Sequence, residues 1–129
     1  MPILNDPIGD LLTRVRNAQS AGRAQCRAPL SKIKLHLCEL LVREGWLQSV
    51  TVEGTAPKQE LVVTFSTVHP SITLKRVSTP GRRLYRSVDE LKSIENGFGI
   101  AILTTSQGLI TDREARLKRI GGELLCEIS

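Results

Sequence analysis

The chain has 129 residues, with 18 lysines and arginines against 13 acids and a net charge of +5. That length suits one domain or two very small ones and excludes a large multi-domain enzyme, while 40% apolar and 24% charged residues mark a folded chain rather than a disordered one. Neither a basic-then-apolar leader nor a run of about 18 apolar residues occurs, so a soluble, intracellular protein with no membrane partner is expected.

Asn5 or Asp6 can cap a helix whose first position is Pro7, where a missing amide donor costs nothing. Ile8, Leu11, Leu12 and Val15 recur at helical spacing and leave Arg14 and Asn17 off the apolar stripe. After a short segment over residues 25–28, Pro29 and the potential cap Ser31 open a second helix. Ile33, Leu37, Leu40 and Leu41 form its inward face and Gly45 its stop. Lys32 and Lys34 fall in the first turn, the unfavourable end of the helix dipole for a cation, which a nearby anion would offset. Residues 46–52 and 60–65 flank a turn-prone stretch and predict a two-stranded hairpin. A first module over 1–66 thus reads αβαββ, and His69-Pro70 marks the boundary to a second over 71–129.

In the second module Ile72 and Leu74 alternate with Thr73 and Lys75 as in a half-buried strand over 72–77. Thr79-Pro80-Gly81 is a turn. Ser87 and Glu90 have capping-box spacing before Leu91 and Ile94, which predicts a short helix closed by Asn96-Gly97. A buried strand over 98–104 and a turn through Gly108 follow. Thr111 and Glu114 then cap a helix ending before Gly121-Gly122, and a strand over 123–128 comes last. The fold class is therefore α+β, in two small modules: N-terminal αβαββ, then β-rich with short helices.

Cys26, Cys38 and Cys126 are odd in number and form no CxxC pair, so they read as free thiols, with neither a zinc site nor another cofactor encoded. Of the two histidines, His36 lies inside a helix and His69 beside a proline, and no nucleophile motif accompanies them. The acidic pairs Asp89/Glu90 and Asp112/Glu114 sit where helix N-termini favour acids. Gly97-Phe98-Gly99 precedes a strand rather than a helix, so it is no phosphate cradle. Catalysis is disfavoured.

The positive charge is concentrated. Lys75, Arg76, Arg82, Arg83 and Arg86 fall within residues 71–86 with no acid among them, and Tyr85 is available to stack on a base. From this segment alone, a nucleic-acid contact and a solvated hairpin that keeps the protein soluble fit equally well. Thr104-Thr105-Ser106-Gln107-Gly108 offers three hydroxyls to base edges, phosphates and 2′-OH groups, with a glycine that allows close backbone approach. Ordinary turn chemistry is its simpler reading when taken alone.

Together these blocks resemble the bacterial small-subunit ribosomal protein S-eight family. Asp6-Pro7-Ile8-Gly9-Asp10-Leu11-Leu12-Thr13-Arg14-Val15-Arg16-Asn17-Ala18 is similar to its opening; Ser31-Lys32-Ile33-Lys34, Ser78-Thr79-Pro80-Gly81-Arg82-Arg83-Leu84-Tyr85 and the run over 97–127 are similar to its later blocks. The stretch over 99–116 that leads to Gly121-Gly122-Glu123 is the most specific. The resemblance implies primary binding to the central domain of small-subunit ribosomal RNA during assembly, and so a cytoplasmic, ribosome-bound protein beside other small-subunit ribosomal proteins. It assigns the specific contact to Thr104, Thr105, Ser106 and Gly108, nucleotide packing to Tyr85, and phosphate contacts to Arg82, Arg83 and Arg86. Arg14, Asn17, Lys32 and Lys34 would meet a second RNA segment. In some bacteria the family also binds its own messenger RNA, a further partner to test. Where the family usually carries Ser-Thr-Ser-Lys-Gly, this chain has Thr104 and Gln107, which keeps the hydroxyl and loses a cation. The rival expectations are a small enzyme using the hydroxyls of Thr104 to Ser106 and a generic DNA-binding domain.

Overall fold

The computed structural model describes residues 7–66, 72–78, 81–87 and 99–129. The expectations for Asn5, Asp6, His69-Pro70, Thr79-Pro80, Asp89/Glu90, Phe98 and the helix behind Ser87 lie outside these residues. The chain divides into two compact units, Pro7–Ile72 and Thr73 onward.

In the first unit, α1 (Pro7–Ser20) buries Ile8, Leu11, Leu12, Val15 and Ala18, one stripe at helical spacing. β1 (Gln25–Pro29) follows, then α2 (Lys32–Arg43), whose cap Ser31 accepts a hydrogen bond from the Lys34 amide at 3.3 Å. Pro29 ends the strand rather than opening the helix. Among the described residues β1 is an edge strand paired with β3 alone, and a residue without an amide donor is tolerated there. After α2, Gly45 turns the chain at φ +85. Lys34 departs from its expected exposed position: it is 5% exposed, because it shares a stripe with the buried Leu37, Cys38 and Leu41. β2 (Leu47–Glu53) and β3 (Glu60–Phe65) form the expected hairpin, and the antiparallel sheet runs β1-β3-β2. Leu61, Val62 and Val63 of the central strand are all buried.

In the second unit β8 (Gly122–Ile128) is the hub. β4 (Leu74–Arg76), β5 (Tyr85–Arg86) and β6 (Ile100–Thr105) all pair antiparallel with it, and β6 turns back into β7 (Gly108–Thr111). The seven-residue α3 (Asp112–Lys118) starts from the capping box the sequence predicts: Thr111 Oγ1 accepts from the Glu114 amide at 3.2 Å, and the Thr111 amide donates to Glu114 at 3.4 Å. Asp112 is buried, accepting from the Ala101 amide at 3.3 Å and from Arg116 at 3.0 Å. Ala101, Leu103, Ile110, Ala115 and Leu124 form the core between sheet and helix, with Val77 and Ile120 at its margin. Among the described residues no helix is long and apolar enough to cross a membrane, and no cluster of three or more His, Cys, Asp or Glu could hold a metal. All three cysteines are free and buried. Burial pushes the Cys38 and Cys126 thiols up to about 12 and raises that of Cys26, which neighbouring Arg14 pulls partly back.

Candidate nucleic-acid interface

Strand pairing carries residues far apart in sequence to one end of the second sheet. Tyr85 is opposite Glu123, Glu123 opposite Thr104, and Thr104 opposite Leu109, so these four form a single row across β5, β8, β6 and β7. Residues directly opposite one another share a face. Tyr85, 66% exposed, therefore stands on the same face as the half-buried Thr104, two positions along from the turn of β6 into β7. The next row joins Arg86 to Gly122, and Thr105 to Gly108. β8 passes between these groups because its side chains there are absent: a Cβ on Gly121 would meet the Arg86 carbonyl, and one on Gly122 the Thr104 carbonyl.

The three hydroxyls do different things. Thr105 Oγ1 accepts from the Gln107 amide at 3.1 Å and donates to the Gly108 carbonyl at 3.0 Å, so it closes the turn upon itself. Ser106 is exposed at the tip, and neither it nor Thr104 has a side-chain partner among the described residues, which leaves two hydroxyls available for a ligand. Gly108 has φ +96, and nothing lies within 4 Å of where its Cβ would be. The positive φ alone calls for glycine, and the space above it is open. Neither a histidine nor a carboxylate bonds to any of the three hydroxyls among the described residues, and His36 belongs to α2 of the other unit.

The cations differ as well. Arg82 is exposed and has no ion pair among the described residues. Arg83 is bonded to Glu123 at 3.2 Å. Arg86 donates to the Tyr85 carbonyl at 3.1 Å, and Arg76 to the Leu125 carbonyl at 3.0 Å. The absence of local acids in residues 71–86 is thus made up in part by an acid from β8.

In the first unit, Arg14 and Asn17 line a cleft of about 530 Å³ together with Arg23, Gln25 and Arg27, and with Cys26 among the residues between them. Arg14 bonds Asp10 at 3.0 Å and the Arg27 carbonyl at 3.3 Å, while Arg27 pairs with Glu53 at 2.8 Å. Arg23 is the cation of this cleft whose side chain has no partner among the described residues. Lys32 is exposed on the first turn of α2; it and the buried Lys34 are not part of the cleft lining. The sequence reading missed Arg23, Gln25, Arg27 and Glu123. A signal for two of them exists, since Gln25 and Arg27 alternate with buried Cys26 and Ala28 and must face outward.

Comparison with known proteins gives the family of the chain. The family model described as Ribosomal protein S8 matches residues 6–129. The small ribosomal subunit protein uS8 of Vibrio parahaemolyticus is 45% identical, and the match covers 98% of both chains. The protein of the same name from Acidithiobacillus ferrooxidans is 45% identical with the same coverage. That of Rubrobacter xylanophilus is 43% identical over 95% of this chain and 96% of its own. The chain therefore belongs to the ribosomal protein S8 family, a structural and non-enzymatic class of ribosomal component.

Proposed function

We propose that the protein is a structural constituent of the small ribosomal subunit that binds the central domain of small-subunit ribosomal RNA early in assembly. The observation that carries this reading is the row Tyr85, Glu123, Thr104, which sets an exposed aromatic ring and a free hydroxyl on one sheet face, one strand apart. A-form RNA hides its major groove, so a protein that selects one RNA must read splayed bases, shape and 2′-OH groups. A tyrosine can take a splayed base, with stacking worth about 1–3 kcal/mol. Thr104 and Ser106 then donate to or accept from its edge or the adjoining sugar, on a turn held in shape by Thr105 and Gly108. Arg82 and Arg86 supply backbone attraction. Arg14 and Asn17, joined by Arg23 in the same cleft, and Lys32 supply a second contact.

The remaining partners follow from the same reading: neighbouring small-subunit ribosomal proteins and, in a regulatory role, the protein's own messenger RNA. The test is a chemical footprint of the purified protein on naked small-subunit ribosomal RNA. Protection confined to an irregular internal loop of the central domain is expected. Protection spread evenly over paired helices, or none at modest salt, would overturn the proposal.

A further inference from the structure

Arg83 Nη1 donates to both carboxylate oxygens of Glu123, at 3.3 and 3.2 Å, across 40 positions of sequence. The Glu123 side chain is 8% exposed and that of Arg83 54%. A nearly buried carboxylate in the middle of a surface suited to a polyanion is out of place unless its charge is used within the protein. The bonds around it show that use. Leu84, the residue after Arg83, donates its amide to Ser78 Oγ at 2.9 Å and accepts from the Leu124 amide at 2.8 Å, and Ser78 is fully buried. Tyr85 and Arg86 then pair with Glu123 and Gly122. The ion pair tethers the start of this segment, and the ladder holds its end.

We infer that Glu123 is a positioning residue of the interface, acting through Arg83: the pair fixes the segment 83–86, and with it the Tyr85 ring, at a set distance from the turn over 104–108. Arg83 is thereby withdrawn from phosphate contact, contrary to the role its place in a basic stretch suggests. A phosphate that competed for Arg83 would leave the Glu123 carboxylate buried without its counter-charge, an arrangement proteins avoid. Arg82, exposed and without an ion pair among the described residues, is the cation free to meet phosphate. This inference rests on the RNA-binding reading above.

Salt dependence separates the two roles. A cation on phosphate releases counterions, so its loss lowers the slope of log affinity against log salt by about 0.7–0.9; a positioning residue leaves that slope alone. The parent chain, Arg82→Ala, Arg83→Ala, Glu123→Gln and the Arg83→Ala/Glu123→Gln double variant are titrated at several salt concentrations. The probes are a transcript of small-subunit ribosomal RNA and a fully paired RNA duplex. Arg82→Ala is expected to flatten the slope. Arg83→Ala and Glu123→Gln should each weaken the transcript roughly tenfold through the misplaced ring, leave the slope no shallower than the parent's and spare the duplex. The double variant should be no weaker than the poorer single, because the two residues act as one unit. A slope for Arg83→Ala as shallow as that of Arg82→Ala, or parent-like binding by Glu123→Gln, overturns the inference. Glu123→Gln preserves shape and an acceptor, so if Arg83→Ala fails to fold by circular dichroism the glutamine variant decides alone. Failure of the parent to bind the transcript brings down the RNA-binding reading, and this inference with it; a slope lost with Arg83 while the parent binds brings down this inference only.

Discussion

The carbonyl of Thr104 lies where a Cβ atom of residue 122 would be, so Gly122 sets how closely β8 approaches the strand that carries the hydroxyl turn. The Thr105 methyl group, 2.8 Å from the same position, blocks the other way out. Backbone cannot give way as the end of a flexible side chain can. Gly122→Ala should therefore force β6 and β8 apart and lower stability by about 1–3 kcal/mol, the usual cost of overpacking. Urea unfolding measures it, and binding to a small-subunit ribosomal RNA transcript should fall with it. Unchanged stability would mean that the two strands have room they do not show.

Thr105 and Ser106 are neighbours with different work. Thr105→Val keeps the shape and removes both hydrogen bonds that close the turn, each worth about 1 kcal/mol. Hydrogen exchange at the Gln107 amide should quicken, and Thr105→Ser should restore it. Ser106→Ala should leave the turn and its exchange unchanged while weakening the cognate RNA by about 1–3 kcal/mol and sparing unrelated RNA. Equal weakening of both RNAs by Ser106→Ala would contradict the assigned role.

Gln107 is exposed at the tip of this turn. A lysine there is placed to meet phosphate, so Gln107→Lys should steepen the salt dependence of RNA binding by about one unit. Equal slopes for the parent and the variant would show that position 107 points away from the RNA backbone.

The thiols predict a pH response whose sign is fixed by burial. Cys38 and Cys126 ionise near 12 in the folded chain, against an ordinary value of 9.0. Below pH 9 both states keep the protons, and the stability these neutral, buried thiols contribute is fully present. From pH 9 towards 12 the unfolded chain releases protons that the folded chain retains, so the stability these groups contribute is lost as pH rises. Iodoacetamide at pH 8.5 should label none of the three buried thiols readily in the native protein and all of them in urea. Ready labelling of Cys38 or Cys126 without urea would contradict their burial.

What was legible in the sequence was local. Ser31, Gly45, and the Thr111/Glu114 pair do what their spacing predicts, because a cap is completed within a few residues. What was not legible depended on which faces meet. Lys34 reads as solvent-facing beside Ile33, yet both adjoin the stripe of Leu37, Cys38 and Leu41, and it is Lys34 that is buried there while Ile33 is half-buried at its margin. Pro29 carried two local meanings, and strand pairing chose the other one. The partner of Arg83 comes from a strand 40 residues on, and no periodicity could have named it. The same holds for the cleft in the first unit, which exists only because β1 returns beside α1 and brings Arg23, Gln25 and Arg27 next to Arg14.

The position of β8 at the hub has a consequence for how the protein comes into being. β4, β5 and β6 each precede it in the polypeptide and each need it as a common neighbour. Among the described residues β4 and β5 are made before the strand they pair with, while β6 can pair locally with β7. Tyr85 and Thr104 come into one row only after residues 122–128 have left the exit tunnel. The row that brings the exposed ring and the hydroxyl together is thus assembled only when β8 pairs, after both strands that flank it have been made.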